Sequence, residues 1–123
     1  MTAARAARKP VVLVVDDEAA LRAVIVLALT RWDVEVLEAG TGPEALEAYR
    51  RHRGRIGFVL MDVNMPGPSG PETLESLRQI DPDVRCCFMT GNAAARGECG
   101  SVAVIDKPFD LEVLARLVRS QAA

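Results

Sequence analysis

The sequence predicts an α/β domain built on a five-stranded parallel sheet with helices on both sides. Short apolar runs alternate with helical patterns through the 123 residues, in the order βαβαβαβ(α)βα. Four of the five runs are nearly unbroken apolar, as strands covered on both faces must be. Three runs also end on charged residues at a turn, where a parallel sheet of this kind opens its ligand crevice. Right-handed crossovers restrict the topologies further.

The predicted strands cover 11–15, 34–38, 57–61, 84–89 and 102–105. The second carries Glu35 and Glu38 and suits a sheet edge. Leu21, Val24, Ile25 and Ala28 give the first helix an apolar face. Ala45, Leu46 and Tyr49 do the same for the second, Leu74 and Leu77 for the third, and Leu114, Leu117 and Val118 for the last. Thr41-Gly42-Pro43-Glu44 and Ser69-Gly70-Pro71-Glu72 match capping boxes, and Asp81-Pro82 closes the third helix. Asp110 caps the last helix. Residues 92–101 hold three alanines but also Gly97 and Gly100, which predicts one short helical turn or an irregular loop.

Composition narrows the function classes. A net charge of −2 offers no basic face for nucleic acid. Cys86, Cys87 and Cys99 are odd in number, and the adjacent pair points to opposite faces of a strand, so no disulfide framework is expected. A reducing cytoplasm fits. The apolar stretch 23–29 is too short to span a membrane, and the run at 11–15 is too short for a signal peptide. Residues 1–9, with Arg5, Arg8 and Lys9, read as a disordered basic tail.

The charged residues at the strand ends carry the chemistry. Asp16-Asp17 follows the first strand, Asp62 the third, Thr90 the fourth and Asp106-Lys107-Pro108 the fifth. Crowded carboxylates at 16, 17 and 62 call for a cation, and hard oxygen donors with open positions suit Mg2+. Asp62, in line with a phosphoryl donor, becomes a nucleophile that forms an aspartyl phosphate. The cation, Lys107 and the Thr90 hydroxyl then offset charge on the phosphoryl oxygens. Lys107 is one of two lysines beside 13 arginines, so a compact point charge is wanted there. Pro108 after it is a candidate cis residue that would aim the side chain.

Each feature alone has a plainer reading. Asp16-Asp17 would cap the first helix, Asp62 would form an Asx turn, Thr90-Gly91-Asn92 would be a strand-to-helix turn, and Lys107 a surface charge. Those readings leave unexplained why all four fall at carboxyl ends of strands in one alternating pattern. His52 and the surrounding Arg50, Arg51, Arg53 and Arg55 read as a solvated helix end, and Trp32 as a cover for the end of the first helix.

Val14-Val15-Asp16-Asp17-Glu18, Met61-Asp62-Val63-Asn64-Met65-Pro66-Gly67, Thr90-Gly91 and Asp106-Lys107-Pro108-Phe109, in this order and spacing, resemble the receiver domain of bacterial two-component response regulators (CheY-like). The resemblance covers a domain at 10–121 and implies a flavodoxin-like fold with strand order 2-1-3-4-5. It implies phosphoryl transfer to Asp62 from a sensor histidine kinase or histidine phosphotransfer protein. Asp17, Asp62 and the backbone carbonyl of Asn64 would ligate Mg2+, with Asp16 acting through a water. Thr90 and Lys107 would hold phosphoryl oxygens. Two departures stand out: Val104 occupies the position of the family's switch aromatic, and only 16 residues separate Thr90 from Lys107, which shortens the fourth helix. Dimerisation and output, which commonly use that face, are therefore left open.

The expected function is a stand-alone phosphorylatable receiver that signals to a downstream protein and turns over no separate substrate. The alternative is a phosphate-independent interaction module with the same fold. A haloacid-dehalogenase-type hydrolase would place its nucleophile in Asp-x-Asp after the first strand, where Asp16-Asp17-Glu18 stands instead. A flavin carrier would need a phosphate-cradling loop after Val15, which this sequence does not have.

Overall fold

The computed structural model describes residues 11–100 and 102–122. Strands β1 (Val11–Val15), β2 (Glu35–Ala39), β3 (Ile56–Asp62), β4 (Cys86–Thr90) and β5 (Ala103–Asp106) alternate with helices α1 (Ala19–Arg31), α2 (Gly42–Arg51), α3 (Gly70–Ile80) and α4 (Leu111–Ala122). A 3-10 segment (Ala93–Cys99) stands between β4 and β5. The predicted basic tail at 1–9 and the first residue of the predicted domain lie outside the described residues.

All five strands are parallel, in the order β2-β1-β3-β4-β5. This is the doubly wound, flavodoxin-like arrangement. Alternation along each strand divides the core. Leu13, Val15, Val59 and Met61 face α2, α3 and the 3-10 segment, while Val12, Val14, Phe58 and Leu60 face α1 and α4. Cys86 and Cys87 fall on opposite faces, as expected, and all three cysteines are free.

Three of the predicted strands shift toward their carboxyl ends, and β3 lengthens at both ends. β2 begins at Glu35, β3 extends through Asp62, β4 runs from Cys86 to Thr90, and β5 ends at Asp106. The ladder explains the shift: Asp62 pairs with Met89, and Thr90 pairs with Asp106. A polar end residue ends an apolar pattern without ending the hydrogen bonding. The run at 102–105 is also less covered than its composition implies, because β5 is an edge strand with Val104 and Ile105 only half-buried.

The helix boundaries follow their caps. Ser69 and Glu72 form the full predicted capping box. At α2 the box is displaced: Thr41 Oγ1 accepts from the Glu44 amide, but the Glu44 carboxylate reaches back to the Gly40 amide. Asp110 Oδ1 accepts from the amides of Glu112 and Val113, as predicted. The N-cap of α1 is Glu18, with no side-chain cap, so Asp16 and Asp17 do not cap that helix.

The predicted face of α1 needs correction. Ile25 and Leu29 are buried, whereas Val24 is 45% exposed. Ala20, Ala23 and Leu27 are exposed beside it. A helix that is apolar nearly all round gives periodicity nothing to choose between.

Tyr49 of α2 donates its hydroxyl to Asp81 Oδ2 at 2.7 Å, tying the ends of α2 and α3 together. That bond, first among its causes, holds the Asp81 carboxyl below its ordinary range, while burial and the same bond push the Tyr49 phenol up. Asp81 thus adds stability that is present above pH 3.8 and lost as pH falls through its lowered value. Tyr49 adds stability that is present below pH 10.0 and lost above it. Tyr49→Phe is expected to cost about 1 kcal/mol at neutral pH, since the acceptor is largely solvated. Denaturant titrations should show the gap from the parent closing toward both pH limits.

Candidate functional site

The site sits where the strand order reverses, at the carboxyl ends of β1 and β3. Connections from β1 and β3 leave in opposite directions here, opening a crevice between two loops. Asp16 is fully buried and Asp62 is 6% exposed, while Asp17 stands at the surface. Oxygens of the three carboxylates lie within 4.8 Å of one another. Lys107 enters from β5 and bridges the buried pair, with Nζ 3.2 Å from Asp62 Oδ2 and 3.3 Å from Asp16 Oδ2. Glu18 Oε1 adds a longer contact at 3.8 Å.

Local bonds aim each group. Asp16 Oδ1 accepts from the Glu18 amide at 2.8 Å, and Asp62 Oδ1 accepts from the Asn64 amide at 3.3 Å. The predicted Asx-type turn at Asp62 is therefore real, and it coexists with the cluster. Lys107 N donates to the Thr90 carbonyl at 2.8 Å, fixing where the lysine leaves the sheet, and the Lys107–Pro108 peptide is cis. Thr90 is buried in the same row of strand ends, but its hydroxyl is engaged elsewhere. Oγ1 donates to the Asn92 carbonyl at 3.1 Å and accepts from the Asn92 amide at 3.0 Å. Asn64 is tied to the site through its amide.

Burial raises the Asp62 pKa, against the pull of Lys107 and the Asn64 amide, and Asp16 raises it further. For Lys107, burial acts downward but the charges of Asp62 and Asp16 outweigh it, and the net shift is upward. Both partners of one ion pair thus shift up. The pairing favours the ammonium, while for the carboxylate desolvation is the larger effect. Three carboxylates with oxygens this close are hard donors that fit Mg2+ in kind.

Two contributors carry no obvious sequence signal. Gly70 starts α3 against the back of the site: a Cβ there would collide with the Asp62 carbonyl and lie 3.1 Å from Phe88 Cε1. In the sequence it reads as part of a capping box and of the Ser69-Gly70 pair behind the Asp62 motif, neither of which shows this close approach. Arg22 of α1 donates to the Asp16 carbonyl at 2.6 Å, and its position on an amphipathic pattern marks it only as polar. Asp106, beside Lys107, turns away from the site and pairs with Arg96 of the 3-10 segment through two bonds, of 3.2 and 2.8 Å.

The family model described as the response regulator receiver domain matches residues 12–119. The chain belongs to this family. It is 38% identical over 113 residues to the sensor kinase CckA of Brucella abortus, covering 88% of this chain and 12% of the kinase. It is 26% identical to sporulation initiation phosphotransferase F of Bacillus subtilis, across 88% of this chain and 90% of the relative. The chain otherwise spans about half or less of the length of several curated relatives that it matches. Among solved structures, the receiver domain of the hybrid histidine kinase CckA aligns with a TM-score of 0.80 at 34% identity, covering 92% of this chain and 99% of that one. Receiver domains of two-component systems accept a phosphoryl group on an aspartate, bind Mg2+ in an acidic pocket, and interact with histidine kinases and phosphotransfer proteins.

Lys107→Met leaves Asp16 and Asp62 without their ammonium. A loss of about 2 kcal/mol is expected at neutral pH, below the range for fully buried pairs because the amine is partly solvated. The raised Asp62 pKa sets the sign: the deficit shrinks as pH falls through that value and the carboxylate takes a proton. Millimolar Mg2+ should also narrow it, as measured by denaturant midpoints with and without the ion.

Proposed function

We propose that Asp62 is the phosphoryl acceptor of a Mg2+-dependent signalling receiver. The observation that carries this reading is the cluster itself. A nearly buried carboxylate lies beside two other acids and is held by one lysine at the topological switch point. An Asp62 carboxylate oxygen attacks the phosphorus of a phosphohistidine, the nitrogen–phosphorus bond breaks, and the imidazole takes up a proton. The product is a mixed anhydride, which water hydrolyses to carboxylate and inorganic phosphate. Lys107, already 3.2 Å from Asp62, moves its hydrogen bond to a phosphoryl oxygen. Thr90 rotates off Asn92 to donate to another. Asp17, Asp62 and the Asn64 carbonyl would hold Mg2+, with Asp16 acting through a water, and the bound ion would supply charge neutralisation and orientation at the phosphoryl oxygens.

The donor is a sensor histidine kinase or a histidine phosphotransfer protein. The exposed apolar stripe Ala20, Ala23, Val24 and Leu27 on α1 supports this, since the helix starts at the mouth of the site and the stripe suits a helical partner. The readout is a protein–protein contact rather than substrate turnover, in the cytoplasm. Among the described residues, no helix is long and apolar enough to cross a membrane. A solved response regulator, TrrA of Thermotoga maritima in complex with Mg2+ and BeF, aligns at 27% identity and a TM-score of 0.82, covering 93% of this chain and 99% of that one, which supports the same ligand chemistry here.

A second reading is favoured by one feature. Val104 stands where the family has its switch aromatic, and Arg96–Asp106 straps the neighbouring segment to β5. A module indifferent to phosphate would need no more. Equal partner affinity before and after treatment with acetyl phosphate would favour that reading. For the leading one, Asp62→Asn is expected to abolish labelling by acetyl phosphate in Mg2+, read by mass shift or phosphate-affinity electrophoresis. Labelling of that variant at the parent rate would overturn the assignment of Asp62.

A further inference from the structure

Asp17 is the one acid of the cluster that no side chain holds. Its carboxylate is exposed and makes no hydrogen bond or ion pair among the described residues. What points it at Asp16 and Asp62 is therefore its backbone. That backbone is pinned immediately upstream. Asp16 N donates to the Ala39 carbonyl at 3.1 Å, and Asp16 O accepts from Arg22 Nη1 at 2.6 Å. The carbonyl of residue 16 and the amide of residue 17 belong to one rigid peptide plane, so fixing the first fixes the direction in which Asp17 departs.

Arg22 is itself held. Its Nε donates to Glu38 Oε1 of β2 at 3.0 Å, and its side chain is largely buried between α1 and the sheet. Two bonds from one planar guanidinium set its orientation as well as its position, which a lysine cannot do. Glu38 thus carries its constraint through Arg22 and the Asp16 carbonyl to Asp17.

We propose that Arg22 is a positioning residue for the metal site: anchored by Glu38, it sets the Asp16–Asp17 peptide so that Asp17 completes the Mg2+ pocket. This rests on the reading of Asp17 as a ligand. Residues that orient metal ligands without touching the metal typically change affinity 10- to 100-fold, so Arg22→Met should raise the half-saturating Mg2+ concentration by about 10-fold. Calorimetry on the whole chain reads this directly, without any phosphoryl donor. Labelling by acetyl phosphate should fall at limiting Mg2+ and return to within about twofold of the parent at saturating Mg2+, because only binding has been weakened.

Glu38→Gln keeps an acceptor but loses the charge, and a smaller shift in the same direction is expected. It also decides the matter should Arg22→Met fail to fold. Arg55→Met is the control: it removes a similar arginine–glutamate pair, to Glu35 at the far end of β2, and should leave Mg2+ binding unchanged. If Arg22→Met and Glu38→Gln lower the melting temperature but leave the Mg2+ midpoint in place, Arg22 only packs α1 on β2, and the proposal is overturned. A parent chain that neither binds Mg2+ nor becomes labelled would instead overturn the assignment of the receiver site, and this proposal with it.

Discussion

One ammonium shared between two buried carboxylates governs this molecule. Lys107 Nζ lies within 3.3 Å of both Asp16 and Asp62, and those two acids have almost no contact with water. Removing a carboxylate from water costs several kcal/mol even after relaxation, and a single cation does not neutralise two of them. With Asp17 at the rim, the pocket keeps an excess of negative charge. Burial, with a smaller push from Asp16, holds the Asp62 pKa above its ordinary value, and the excess charge favours a divalent cation. A better-compensated pocket would be more stable and less reactive.

The fold exists to make that arrangement affordable. Parallel strands bring the carboxyl ends of β1, β3 and β5 to one edge, and the core beneath holds them there. Val12 to Val15 and Val59 to Met61 are fully buried, so neither central strand can slip without placing apolar side chains in the wrong layer. The close approach of Gly70 to the Asp62 carbonyl shows how tightly the loop behind β3 is packed. The rim is built differently. Asp17 depends on a backbone carbonyl held by Arg22, and Thr90 on a turn that it makes with its own neighbour.

That difference explains what was legible in the sequence. The alternation of strands and helices and the strand-end places of Asp16, Asp17, Asp62, Thr90 and Lys107 follow from the apolar pattern, because burial on both faces leaves a strong mark on composition, whereas the strand order came from the family resemblance. The solvent face of α1 was not legible, since Val24 and Leu27 look as apolar as Ile25 and Leu29. The last residues of β3, β4 and β5 were missed because Asp62, Thr90 and Asp106 interrupt the apolar pattern while remaining in the ladder. Arg22 and Gly70 act through backbone atoms, which no residue pattern encodes. The Thr90 hydroxyl, expected to hold a phosphoryl oxygen, here bonds Asn92. A hydroxyl rotor has several partners within reach, and sequence cannot rank them.

The engaged hydroxyl of Thr90 bears on how a phosphoryl group would be sensed without an aromatic at Val104. Asn92 is the N-cap of the 3-10 segment and accepts from the Ala94 amide, so its backbone is the start of that segment. A neutral hydroxyl–carbonyl bond is weaker than one to a charged phosphoryl oxygen by about a factor of two. On the proposed function the exchange of partners would be downhill once Asp62 carries the group, and it would leave the Asn92 carbonyl with the Ala95 amide as its donor. At its other end the segment is held by Ala95 and Cys99, small buried side chains, and by Arg96 on an exposed Asp106, where solvent screens the pair. Small apolar contacts and a screened ion pair resist displacement weakly. If Asp62 is phosphorylated as proposed, this lightly held 3-10 turn is the element placed to respond without an aromatic ring.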